Sequence, residues 1–349
     1  MDRTWKISRM KTKFKLLTGG EKRLTIHRNA YCHKTRSLFV LPGISYTRSG
    51  PMEEKKMSRI EGGNILITGG ASGIGKLMAQ KFADRGAGVI IWDIDDAGLE
   101  TIAGEMKAGG RRAAVYRCDV SNRVEVFRVA ENVKNDFGKV DILINNAGIV
   151  FGKSFLDATD EQLEKSMAVN ALSHFWTVRA FLPDMIRAGR GHIVTISSAA
   201  GLIGVSRLVD YCAAKFAAFG FDEALRMEIK QKKWNIKTTV VCPYFIDTGM
   251  FEGVRTRFSR LLPILDQQNV ADRIVKAVEK NRRRLLMPPM VYSLWLLRYL
   301  PTFAFDLTAN LFGINATMEG FTGRSGGHGT TPFSTAQPGS DSQNPPQGS

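Results

Sequence analysis

The 349 residues are 44% hydrophobic and 23% charged, enough apolar material for one substantial core, so a wholly disordered chain and a fibrous repeat are both excluded. Four cysteines (Cys32, Cys118, Cys212, Cys242) without CxxC spacing or clustered histidines argue against a zinc site or a disulfide scaffold, and predict reduced, mostly buried thiols. The net charge of +16 would suggest nucleic acid or an anionic surface as partner, but 14 of the 49 basic residues fall in positions 1–56 beside only 4 acidic ones, and residues 57–324 carry +7.

Residues 1–56 form a basic leader with no sustained period, and its longest apolar stretch, Leu38 to Leu41, is too short for a secretion signal. It reads as an organellar transit peptide, a surface-binding arm, or sequence upstream of a start at Met52 or Met57, the last being preferred. From there short apolar runs alternate with amphipathic stretches. Strands are predicted at Asn64 to Thr68, Gly88 to Asp93, Ala113 to Arg117, Val140 to Asn145, His192 to Ser197 and Lys237 to Cys242, with a seventh near Leu285 to Met287. Helices fill 75–85, 95–108, 122–136, 160–187, 211–231 and 269–281. Runs as apolar as NILIT and VDILIN suit interior strands covered on both faces. The fold class is therefore α/β, a Rossmann-like doubly wound parallel sheet of about seven strands in a single domain over residues 57–290. Residues 291–324 read as an apolar extension, and 325–349, rich in Gly, Ser, Pro and Gln, as a disordered tail.

The first strand runs into Thr68-Gly69-Gly70-Ala71-Ser72-Gly73-Ile74-Gly75 and then a helix. Glycines there permit a tight turn, let backbone N–H groups approach a pyrophosphate, and aim a helix N-terminus at it. The plain alternative is turn punctuation. The second strand ends in Asp93, where a carboxylate would accept hydrogen bonds from ribose hydroxyls and repel a 2′-phosphate. Neither Ser72 nor Ile94 supplies a cation for that phosphate, so NAD is expected in preference to NADP. The fourth strand leads into Asn145-Asn146-Ala147-Gly148, the following helix carries Asn170, the fifth strand ends in Ser197-Ser198, and Tyr211-Cys212-Ala213-Ala214-Lys215 follows. Tyr211 and Lys215 at i and i+4 share one helix face. A phenol has a pKa of about 10 when free; a nearby ammonium and an oxidised nicotinamide would favour phenolate and make Tyr211 a usable base.

This ordered set, from the glycine loop and the acidic end of the second strand through NNAG, Asn and Ser to YxxxK, resembles the short-chain dehydrogenase/reductase family over roughly residues 60–290. The resemblance implies Tyr211 as acid/base, Ser198 orienting the substrate oxygen, Lys215 binding the nicotinamide ribose, and Asn170 holding a relay water. It also implies cofactor contacts from Gly69, Ser72, Gly73, Ile74 and Gly75, from Asp93, from Asp119 and Val120 at the adenine, and from Asn146, Ala147 and Gly148. Ile246 and Thr248 match the positions that meet the carboxamide. Pro243-Tyr244, where many relatives have Pro-Gly, and the Thr248-to-Phe251 string TGMF resemble the membrane-associated retinol and hydroxysteroid dehydrogenase subgroup, implying an apolar alcohol or carbonyl substrate and a homodimer or homotetramer.

Beyond Arg282-Arg283-Arg284, the stretch from Met290 offers about 11 apolar-rich residues broken by Arg298, where a span needs about 20. With Tyr292, Trp295 and Tyr299 it reads as an interfacial membrane element, a flap over an apolar mouth, or an ordinary packing helix. No metal is expected, because His27, His33, His174, His192 and His328 are not spaced as ligands; His174 and His192 read as packing or surface residues. No nucleic-acid module is present, and the expected location is the cytoplasm, free or peripheral to a membrane. A non-catalytic nucleotide sensor is the alternative function, since it would keep the glycine loop without needing Ser198, Tyr211 and Lys215 together.

Overall fold

A computed structural model describes residues 58–323. The basic leader, the tail at 325–349, Cys32, and the histidines at 27, 33 and 328 lie outside the described residues, as does the side chain of Trp295.

Seven parallel strands form one sheet: β1 (Asn64–Thr68), β2 (Gly88–Asp93), β3 (Ala113–Arg117), β4 (Ile142–Asn145), β5 (Gly191–Ile196), β6 (Ile236–Pro243) and β7 (Arg284–Met287), in the order 3-2-1-4-5-6-7. The fully buried β1 explains its uninterrupted apolar run: Ile65 and Ile67 face one layer and Leu66 the other. α1 (Gly73–Ala83), α2 (Asp96–Ala108) and α7 (Gln267–Glu279) cover the first face, packing Met78, Phe82, Ile102 and Ile274 onto it. α3 (Arg123–Phe137), α5 (Ser173–Arg187) and α6 (Val209–Gln231) cover the second with Val129, Phe181 and Ile229. Strand order reverses between β1 and β4, and in such sheets the crevice beyond the carboxyl ends at that point binds ligands.

Most predicted boundaries shift by one or two residues, and one predicted element differs in kind. β4 begins at Ile142 rather than Val140. The single helix expected over 160–187 is three pieces: α4 (Asp160–Met167), a π-helical turn Ala168–Leu172, and α5. The extra residue in that turn leaves the apolar period almost unchanged, which is why the sequence pattern does not reveal it; π turns inside α-helices commonly mark functional positions, and Asn170 sits here.

Beyond β7 the chain makes a short 3-10 turn (Pro289–Tyr292), α8 (Ser293–Leu297), then α9 (Thr302–Leu311) after Pro301. Among the described residues no helix is long and apolar enough to cross a membrane. The chain then returns to the body of the domain. Thr322 donates its backbone N–H to Glu252 O at 3.0 Å, and Arg255 donates to Thr317 O at 3.3 Å. Met318 is fully buried in a cluster with Tyr211, Phe245 and Val254. A Cβ at Gly253 (φ +83°) would collide with the Gly320 carbonyl.

Candidate active site

The carboxyl ends of β1, β2, β4, β5 and β6 converge on one cavity of about 470 Å³. At its β1 side the glycine loop turns with positive φ at Gly69 and Gly73. A Cβ on Gly75 would strike the Gly69 carbonyl, so only glycine lets the first turn of α1 close onto the loop. Asn146 fixes the loop from the β4 side: its amide donates to Thr68 O and Gly69 O, each at 2.9 Å, and its backbone N–H to the Thr68 hydroxyl at 3.0 Å. Gly69, Ser72, Gly73, Ile74, Gly75, Ala147 and Gly148 all border the cavity, with the N-terminal N–H groups of α1 among them.

Asp93 is held rigidly. One oxygen accepts from Ala71 N at 2.9 Å, the other from Ile94 N at 2.8 Å and Asp95 N at 3.3 Å. Asp119 faces the same cavity beside Val120, and both its oxygens are engaged, with Ser121 and with the Lys165 ammonium at 2.8 Å. Burial acts to raise its pKa, but the bonds from Lys165 and Ser121 prevail and hold the carboxyl below its usual range. Lys165 had no motif to announce it; the pair joins residues 46 positions apart. Ile246 and Thr248, after β6, close the cavity near Gly73.

Ser198, Tyr211 and Lys215 meet on one wall. Ser197 gives its hydroxyl to Lys215 O at 2.8 Å, whereas the Ser198 hydroxyl accepts from Ala200 N at 3.1 Å and lies toward Tyr211. Lys215 donates to Ile196 O at 3.0 Å. The expected lowering of the Tyr211 phenol is not seen in the protein alone: burial pushes it well above its usual range, and the Ser198 hydrogen bond opposes this only partly. Burial likewise pushes the Lys215 ammonium down to about 8. Asn170 does not border the cavity; its side chain pairs with both backbone groups of Ile149, donating to O at 2.9 Å and accepting from N at 3.0 Å. His174 and His192 are both buried, and Cys118, Cys212 and Cys242 are buried free thiols.

Much of the rest of the lining is apolar. Ile203, Leu208, Phe251, Leu262, Leu294 and Phe312 contribute, the last two from the C-terminal extension. Phe251 stands edge-on to the Tyr211 ring at 5.8 Å.

A glycine cradle that any side chain would fill, a helix N-terminus, and a fixed carboxylate at the end of β2 fit a dinucleotide, and the phenol–lysine wall faces it. That combination defines a nicotinamide-dependent oxidoreductase. The family described as short chain dehydrogenase matches residues 63–258. Epidermal retinol dehydrogenase 2 of Mus musculus is 48% identical over 273 residues, covering 77% of this chain and 88% of its own. A short chain dehydrogenase/reductase from Burkholderia phymatum, solved in complex with NAD, superposes with a TM-score of 0.64 at 26% identity, over 71% of this chain and 96% of its own. A metagenomic short-chain oxidoreductase in complex with NADP gives 0.55 at 26% identity, over 65% and 96%. The chain belongs to the short-chain dehydrogenase family.

Proposed function

We propose that the protein is an NAD-preferring dehydrogenase for retinol-like or similarly long apolar alcohols and their carbonyls, with Tyr211 as acid/base. The observation that carries this reading is the single wall of Ser198, Tyr211 and Lys215, beside which Ile203, Leu208, Phe251 and Leu294 line the same cavity. Bound in this cavity, an oxidised nicotinamide would supply the hydride acceptor. Gly69 to Gly75 and the α1 N-terminus hold the pyrophosphate, Asp93 the adenosine ribose, Asp119 and Val120 the adenine, and Ile246 and Thr248 the carboxamide. Asn146, Ala147 and Gly148 line the ribose at the β4 side. Ser198 orients the carbinol oxygen, the Tyr211 phenolate takes its proton, and Lys215 holds the nicotinamide ribose while its charge favours the phenolate. Asn170, outside the cavity, braces the loop after Gly148 through its paired hydrogen bonds to Ile149.

NAD is preferred because Asp93, already supplied with three backbone N–H groups, would meet a 2′-phosphate as like charge. The C-terminal extension, taken as residues 291–324, serves both as cavity wall and as a peripheral membrane contact. Phe303, Leu307 and Leu311 recur at helical spacing along α9 and are exposed, Phe303 to 76%, as are Leu296 and Leu300 before it, with Arg257 and Arg260 in the loop that packs on Phe312. A homo-oligomer through the α5–α6 face is supported by exposed Leu172, Phe175 and Met227 there.

Reduced-nicotinamide absorbance with retinol, a steroid alcohol and ethanol, each with NAD and NADP, tests the reading. Turnover of retinol with NAD, faster than of ethanol, is expected; preference for ethanol or for NADP overturns it. Vesicle flotation of the parent and of Phe303→Glu/Leu307→Glu tests the membrane contact, which only the parent should retain.

A further inference from the structure

A second polar cluster, absent from the chemistry above, lies close to Lys215. Asn145 closes β4 and pairs in register with Thr195 of β5, so their side chains rise from the same face of the sheet. α5 packs over that face. Thr177 donates to the Asn145 side-chain oxygen at 2.7 Å, and His174 stands one turn earlier on the same side of the helix. His174, Asn145 and Thr195 are all buried and none borders the cavity. Four of their atoms have no hydrogen-bond partner among the described residues: both imidazole nitrogens, the Asn145 amide nitrogen and the Thr195 hydroxyl.

Each such atom left unmet is destabilising, and buried polar groups are overwhelmingly paired with protein or with ordered water. The mixture suits water: the Asn145 amide donates, the Thr195 hydroxyl does either, and a neutral imidazole offers one donor and one acceptor. Burial and, after it, the Lys215 charge keep the His174 imidazole neutral by pushing its pKa down to about 3. Lys215 reaches the neighbouring position of β5 from α6. Its hydrogen bond among the described residues goes to Ile196 O, one residue beyond Thr195, and uses one of the three ammonium N–H donors.

We infer that His174, Asn145 and Thr195 hold a buried water that accepts a hydrogen bond from Lys215, which makes His174 a positioning residue for that ammonium. The water fixes Lys215 against Ile196 and keeps its charge where it acts on Tyr211. This rests on the proposed role of Lys215 beside Tyr211.

Two variants and one structure test it. His174→Leu removes both nitrogens at similar size; His174→Gln keeps a donor and an acceptor. The Tyr211 phenol, the Cys242 thiol and the His174 imidazole face Lys215, and neither variant alters the first two. Expected for His174→Leu is a loss of about ten-fold in kcat at neutral pH, with the alkaline-rising limb displaced upward by about one unit and KM for NAD within about two-fold of the parent. His174→Gln should recover the parent's profile. A crystal structure of the parent should show water within about 3 Å of His174, Asn145 and Thr195, and His174→Leu should melt lower. A dry cluster overturns the inference. So does a His174→Leu protein that melts higher with an unchanged pH profile, since deleting a truly orphaned imidazole stabilises. Equal losses in both variants also overturn it by assigning a packing role. If the parent oxidises no alcohol while the crystal shows the water, the proposed function fails and the hydration site stands.

Discussion

The Lys215 ammonium lies 3.0 Å from the Ile196 carbonyl oxygen and 5.6 Å from the centre of the Tyr211 ring. One helical turn separates the two residues, so the cation is anchored to the strand and presented to the phenol at the same time. Burial lowers the lysine and raises the tyrosine, leaving each group nearer its neutral form than it would be in water.

Replacing Tyr211 with Phe deletes only the hydroxyl. Turnover should fall by several orders of magnitude, toward the upper end of the roughly 10²–10⁴-fold typical of general acid–base groups. NAD affinity by fluorescence titration should stay close to that of the parent. Comparable rates in the two proteins would remove Tyr211 from its assigned role.

In the proposed function, Asp93 with Ile94 selects between NAD and NADP. Asp93→Ser combined with Ile94→Arg removes a negative charge and adds a cation at the ribose end, so the ratio of kcat/KM for NAD over NADP should fall by at least about ten-fold, or about 1.4 kcal/mol. An unchanged ratio would mean that neither side chain meets the 2′ position.

Gly75→Ala places a methyl against the Gly69 carbonyl. Either the loop or α1 must shift, so NAD binding should be lost by calorimetry, with melting lowered by a core-scale penalty of about 1–3 kcal/mol. Binding at the parent's affinity would show that the loop rearranges freely.

Asp222, on α6, has neither oxygen in a formed hydrogen bond, and burial raises its pKa to about 7 against the opposing pull of Arg226. An acid raised in the folded state holds its proton there while the unfolded chain releases it near its ordinary value of 3.8. Stability attributable to this group therefore declines as pH rises from about 4 to about 7 and stays low above that. Asp222→Asn should raise the melting temperature at pH 8 and change it little at pH 4. A variant that destabilises equally at both values would contradict this.

Much of the frame was written in short-range pattern. The strands matched within a residue or two because interior parallel strands are uniformly apolar, and the glycine loop, Asp93, NNAG and YxxxK each occupy a place the α/β alternation already defines. What stayed hidden depends on through-space pairing. The π turn at Asn170 shifts side-chain direction without breaking apolar periodicity. Lys165 reaches Asp119 across 46 positions, and Leu294 and Phe312 join the cavity only because the chain folds back after β7. The upward shift of Tyr211 was equally unreadable, since desolvation belongs to the packed state and not to a motif.

The backbone bond from Thr322 to Glu252, together with the close approach of Gly253 and Gly320, ties the stretch after β6 to the far end of the domain. Phe251, next to Glu252 in the chain, is thereby braced from a segment far along the sequence, and the packing edge-on to the Tyr211 ring depends on both stretches at once. A chain cut ahead of Thr317 would lose that brace and open the Met318 seat beside the Tyr211 ring to water.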